Sequence, residues 1–184
     1  MAIEQAKYKN RGIYFCTVTT YNWLPLIEET CAYEHIYHTF QLWHKLDVHI
    51  IGFVIMPNHF HFLVYIKDIG MNLAKLVGNL KRFLAYYIVK QLEVKGKYDL
   101  LYILKAGVKN SAKNKKHQVF KSSFDAKECY TDEFILQKLN YMHANPVKGK
   151  WKLVEDYRYY PYSSAGFYEL GMPGKVDILS YRDI

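Results

Sequence analysis

Residues 48–66 read VHIIGFVIMPNHFHFLVYI: a largely apolar run (Val48–Met56), the turn signal Pro57-Asn58, and a second run (His59–Ile66). β-Branched and aromatic residues dominate both runs, and the Pro-Asn pair marks a reversal, so the two runs are predicted to pair as a hairpin. Upstream, residues 12–20 (GIYFCTVTT) have strand composition, and residues 28–45 lack Gly and Pro and place Ile36, Phe40 and Trp43 at helical spacing. Downstream, Asn72 is an N-cap candidate for a helix through LAKLVGNLKRFLAYYIVKQLEV, where Leu73, Leu76, Val77, Leu80, Leu84 and Ile88 form one stripe. Periodicity is lost over residues 95–118. Residues 119–124 predict a short fourth strand, and Thr131 opens a helix, FILQKLNYMHAN, that must stop near Pro146. The order strand, helix, two strands, helix, late strand predicts an α+β ferredoxin-like sandwich: an antiparallel sheet with helices on one face, plus an added C-terminal helix. That layout serves many activities, so function has to be read from sites.

The chain has 184 residues, a formal net charge of +8 and 51% hydrophobic residues. These values exclude a disordered tail protein and predict one globular unit over residues 1–184 with a polyanionic partner. Residues 1–94 hold nine Lys/Arg against seven Asp/Glu, and the remainder holds sixteen against ten, so +6 of the +8 is C-terminal. Part of that excess lies at about 95–118, read as a mobile basic insertion: five lysines (Lys105, Lys109, Lys113, Lys115 and Lys116) follow one another without an acid. They suit phosphate contact or simple solubilisation about equally. Lys81 and Arg82, at the edge of the helical stripe, join them as DNA-contact candidates. Cys16, Cys31 and Cys129 form no CxxC pair and suggest a reducing, cytosolic compartment. No signal core or long apolar run is evident, so no membrane partner is expected.

His59 and His61 lie two apart on a strand, so their imidazoles share one face while Phe60, Phe62 and Val64 turn to the other. By residue type alone the pair fits a packed or solvated polar couple, or a two-nitrogen metal site with room for an oxygen ligand and a phosphate. Tyr141 and Asn145, four apart, share a helix face at about 40° separation, whereas His143 points elsewhere. The plain alternative is a packed tyrosine followed by an Asn-Pro helix stop. Among the other candidates, His35 and His38 fit a solvated helix face, Tyr157, Tyr159, Tyr160 and Tyr162 fit either base stacking or packing of the tail, and Ser163-Ser164 has no evident catalytic partner.

MPNHFHFLV resembles the HUH motif (His, hydrophobic, His), and YMHANPVKGKWKLVEDYRYYPYSSAGFY resembles the C-terminal signature of REP-associated tyrosine transposases, relatives of the single-tyrosine insertion-sequence transposases. YFCTVTTYNWLPLI, LKRFLAYYI and VFKSSFDAKECYTDEFILQKLNYMHANPV are similar to that family in order and spacing, so residues 11–168 are covered. The resemblance implies an enzyme that cuts and rejoins single-stranded or hairpin DNA without nucleotide hydrolysis. It implies His59, His61 and Asn145 as ligands of Mg²⁺ or Mn²⁺, and Tyr141, on the C-terminal helix, as the nucleophile that forms a 5′-phosphotyrosine bond. A cytoplasmic, nucleoid-associated location follows, with monomer and homodimer both open. Two departures bear on substrate detail: the lysine-rich 95–118 segment is longer than is usual in the family, and Tyr162 stands where many members carry tryptophan. The alternative class is a domesticated hairpin-binding protein that has lost strand transfer.

Overall fold

The computed structural model describes residues 11–67, 70–108 and 115–184. In chain order the elements are β1 (Gly12–Thr19), α1 (Leu26–Glu29), α2 (Tyr33–His44), β2 (Val48–Met56), β3 (His59–Ile66), α3 (Leu73–Val94), α4 (Tyr98–Ala106), β4 (Asp125–Cys129), α5 (Asp132–His143) and α6 (Ala165–Leu170), with short 3₁₀ turns between them. The strands form one antiparallel sheet in the order β2-β3-β1-β4. That is the ferredoxin-like arrangement predicted from element order.

Strand alternation divides the sheet into two faces. Tyr14, Cys16, Val18, Phe60, Phe62 and Val64 point to one side and pack under α2 and α3, which contribute Ile36, Phe40, Leu80, Leu84 and Ile88. Phe15, Val54, Met56 and Leu63 point to the other side, where Ile135, Leu139 and Met142 of α5 cover them. The C-terminal helix thus occupies the face opposite α2 and α3, and His59 and His61 share that face with it. Helices α3 and α5 start at side-chain caps: Asn72 Oδ1 accepts from Lys75 N at 3.0 Å, and Thr131 Oγ1 accepts from Phe134 N at 3.3 Å.

Three expectations need correction. Residues 28–45 are interrupted at Cys31, whose φ of 53° breaks the helix into α1 and α2. The fourth strand is Asp125–Cys129, not 119–124. Val119 and Phe120 are apolar because they are buried in the α2–α3 core, with only a single bridge from Phe120 to Thr20. The true strand is a sheet edge whose polar residues hide its period. Finally, α4 forms within 95–118 after a left-handed Gly96 (φ 65°) and anchors itself through the fully buried Leu104. Lys109 and Lys113 lie outside the described residues.

The tail after α5 packs back onto the β2 edge. Tyr160 Oη donates to Ile55 O at 2.9 Å, and Tyr162 stacks on Tyr33 at 3.7 Å. These two tyrosines therefore pack the fold, and the base-stacking alternative for them is not needed. Ser164 has a partner that its sequence position did not reveal: its Oγ meets His143 Nε2 at 2.8 Å, accepts from Phe53 N at 2.9 Å and lies 3.2 Å from Phe53 O. Buried on both sides, this clasp ties tail, α5 and β2 together.

Gly52, beside a bulge in β2, lies directly under Leu139 of α5. A Cβ there would sit 2.5 Å from Leu139 Cδ2 and 3.2 Å from Ser164 Oγ. Gly52→Ala is expected to lower stability by about 1–3 kcal/mol through overpacking, read as a reduced denaturant midpoint. It is also expected to shift α5, read as altered NMR shifts at Tyr141.

Candidate active site

β3 begins at the turn, so its first two outward positions, His59 and His61, lie at the end of the sheet where α5 finishes. Both rings are buried (8% and 5% exposed) and cross nearly at right angles, with centroids 5.0 Å apart. His59 Nδ1 lies 2.7 Å from Asn58 Oδ1, while Asn58 Nδ2 donates to Trp23 O at 3.0 Å. The second bond fixes the carboxamide, so Oδ1 is the atom that faces the histidine and Nδ1 must carry the hydrogen. The lone pair of the neutral His59 ring then sits on Nε2. His61 is held by Thr17 Oγ1 at 2.9 Å from its Nδ1 and stacks on Phe15 at 5.3 Å, which also leaves its Nε2 outward.

Helix α5 brings Tyr141 to the same place. Its ring meets His61 edge-on at 5.4 Å and Phe15 at 6.2 Å, and it is 52% exposed. Asn145 lies in the 3₁₀ turn after α5, where Nδ2 donates to Tyr141 O at 2.9 Å and Met142 O at 3.3 Å. With its amide hydrogens spent on the helix end, the carboxamide keeps Oδ1 as an acceptor, and its side chain lies against His59. This contact favours the protonated form of His59.

Burial disfavours the proton. It pulls the His59 pKa down to about 4, against the smaller opposing effect of Asn145. His61 is lowered to about 3, first by burial and then by the charges of His59 and Lys138. Both rings are therefore neutral near pH 7. His143, buried in the Ser164 clasp, is lowered to about 4 by burial and takes no part in this cluster.

Thr17, Trp23, His59, His61, Lys121 and Tyr141 line a cleft of about 260 Å³, and Asp125 closes one side. Among the described residues no group of three or more His, Cys, Asp or Glu side chains is placed to hold a metal ion. Sequence reasoning missed three neighbours of this cleft. Asp125 faces it because it pairs with Thr17, which in turn pairs with His61, putting all three on one sheet face. Lys138, one turn before Tyr141 on α5, holds its ammonium 5.3 Å from the Phe15 ring. Its spacing of three from Tyr141 was the available signal. Lys121 belongs to neither lysine group singled out from sequence.

The predicted DNA-contact residues separate. Lys81 Nζ donates to Lys121 O, Ser122 O and Ser123 O at 2.7, 3.2 and 3.3 Å, so it braces the turn that walls the cleft. Burial and the nearby Lys115 charge lower its pKa to about 8. Arg82 is exposed on α3 beside Phe83, Lys105 is exposed in the last turn of α4, and Lys115 and Lys116 are exposed after the undescribed residues.

No family model and no curated protein matches the chain. Among solved structures it is similar to a REP-associated tyrosine transposase bound to a REP hairpin, with a TM-score of 0.57 and 20% identity. The match covers 98% of this chain and 96% of that one. The two share a fold. At this identity the likeness extends to the α+β architecture, an antiparallel four-stranded sheet with helices. No helix among the described residues is long and apolar enough to cross a membrane.

The three buried histidines carry a pH dependence. Each has a folded pKa below its unfolded value near 6.5, so the unfolded chain binds more protons as pH falls. Their contribution is complete above about pH 6.5 and is lost as pH falls toward 4 and 3. The melting temperature is expected to drop between pH 7 and pH 5, with roughly 1–2 kcal/mol lost per histidine. A flat profile over that range would contradict neutral, buried rings.

Proposed function

We propose that this protein is a DNA-processing enzyme that cleaves and rejoins single-stranded, hairpin-containing DNA through a covalent bond to Tyr141. The observation that carries the reading is the convergence of His59, His61 and Tyr141 in one cleft, with His61 ring centroids 5.0 and 5.4 Å from the other two. Structural likeness to a transposase bound to a hairpin supports the substrate class, and the +8 charge supports a polyanionic partner.

The residues fit a divalent cation. His59 keeps Nε2 as its acceptor nitrogen, the neutral His61 ring lies beside it, and Asn145, its amide hydrogens spent on the helix end, keeps a carboxamide oxygen close to His59. Mg²⁺ or Mn²⁺ held there would polarise the scissile phosphate and stabilise the departing oxygen. Thr17 and Asn58 orient the imidazoles from behind, as supporting hydrogen bonds do for metal ligands.

Tyr141 performs the transfer. Its half-exposed phenol attacks the phosphorus: the Oη–P bond forms, the P–O3′ bond breaks, the phenolic proton leaves to solvent, and the 3′ oxygen gains a proton. Rejoining reverses these steps with another 3′ hydroxyl, so the phosphodiester's reactivity is conserved without nucleotide hydrolysis. Lys138 places a positive charge one helical turn before Tyr141, over the Phe15 ring that Tyr141 also meets.

Labelled single-stranded hairpin DNA incubated with Mn²⁺ is expected to give a protein–DNA adduct that survives denaturing gels, and Tyr141→Phe is expected to reduce it at least about 10³-fold. Electron paramagnetic resonance of Mn²⁺ provides a separate readout: His59→Ala and His61→Ala should each weaken ion binding, whereas Tyr141→Phe should not. An adduct that persists in Tyr141→Phe would remove the nucleophile assignment. Hairpin binding with no adduct under either metal would favour a binding protein without transfer activity.

A further inference from the structure

Trp23 is the residue at the cleft whose placement packing does not explain. It is 49% exposed, and it has a left-handed backbone (φ 56°) directly after another left-handed residue, Asn22 (φ 49°, ψ 26°). Asparagine adopts that region readily; a bulky aromatic residue does not. The strained turn is held from all sides. Thr20 N donates to Asn58 O at 3.0 Å, Tyr21 N to Val119 O at 2.8 Å, and Asn58 Nδ2 to Trp23 O at 3.0 Å. Asn58 also holds His59 Nδ1, so one side chain sets both the Trp23 backbone and the His59 ring. Backbone strain enforced this firmly is typical of functional positions.

Its effect is to project an indole over the cleft, edge-on to His59 at 5.5 Å. Trp23 and Lys121 line the cleft on one side and a second cavity of about 380 Å³ on the other. The second cavity is walled by Tyr21, Asn22, Gly107, Gln118 and Ser122. Glycine at 107 leaves this wall open, since a Cβ would fall 2.6 Å from the Tyr21 ring and push it aside. Lys121 Nζ lies 4.5 Å over the Trp23 ring and pairs with no carboxylate among the described residues. An aromatic side chain, a lysine with no carboxylate partner among the described residues and a recess with a carboxamide and a hydroxyl at its wall match what one nucleotide of a single strand requires: stacking, a phosphate contact and edge hydrogen bonds.

We propose that Trp23 is the stacking platform for the nucleobase next to the scissile phosphate, that the cavity beyond it receives this base, and that Lys121 contacts the adjoining backbone phosphate. This rests on the strand-processing reading above. It adds a site that selects how the strand is threaded: the base on the Trp23 side is pulled out of any duplex stack, which favours unpaired DNA beside the hairpin.

The test measures binding of a fluorescent hairpin with a single-stranded flank to full-length Tyr141→Phe protein, scanning an abasic site through the flank. One abasic position is expected to weaken binding about tenfold or more. Trp23→Ala should cause a similar loss and make that position insensitive, and Trp23→Phe should retain most of the affinity. Trp23→Gly, which suits φ 56°, should lose affinity while melting within a few degrees of its parent, separating recognition from folding. Unchanged affinity in Trp23→Ala and Trp23→Gly, or abasic losses that add to the Trp23→Ala loss, would overturn the platform and leave the strand-processing reading intact. A Tyr141→Phe protein that binds no such DNA would overturn both.

Discussion

Helix α5 lies across the outer face of the β2–β3 hairpin because Ile135, Leu139 and Met142 are buried against Val54, Met56 and Leu63. Gly52 permits that approach by having no side chain where Leu139 must sit. The end of α5 therefore has a fixed height above the end of β3, and Tyr141 meets His61 instead of standing free in solvent. The His143–Ser164–Phe53 clasp secures the same junction through buried hydrogen bonds. Side chains from one strand pair and one helix thus converge with no long loop intervening, the kind of support that holds reacting groups in place.

Electrostatics at the junction follow from that packing. Burial keeps His59 and His61 neutral, and supporting hydrogen bonds turn their remaining nitrogens outward. Asn145 closes the helix with its amide hydrogens and is left with an oxygen. The cluster is rich in acceptors, while Lys121 and Lys138 provide positive charge at its margin. Under the strand-transfer proposal, a phosphodiester would suit this environment, because its negative charge would meet the lysines.

The face on which each hairpin residue lies was legible in the sequence, because a period of two leaves little freedom: Phe60, Phe62 and Val64 go to one core and His59 and His61 to the other face. Helix α3 was legible through its stripe and its Asn72 cap, and α5 through Thr131. β4 was not, since an edge strand pairs along one side only and its residues DAKEC carry no apolar run. The apolar pair Val119-Phe120 drew the strand assignment toward itself while serving a different core. Lys81 read as a surface cation, yet three carbonyls hold it, a partnership made by residues forty positions away. Trp23 was invisible as a functional residue because its significance lies in a left-handed backbone and in two cavities that exist only in three dimensions.

The central claim is that the α5–hairpin junction presents Tyr141 as the group that becomes joined to DNA. Mass spectrometry of proteolytic peptides from wild-type protein reacted with a hairpin oligonucleotide tests it most directly. The expected result is a single modified peptide carrying a 5′-linked nucleotide on Tyr141, with a free 3′ hydroxyl on the released strand. A nucleotide attached to any other residue, or a released strand ending in a 3′ phosphate, would contradict it.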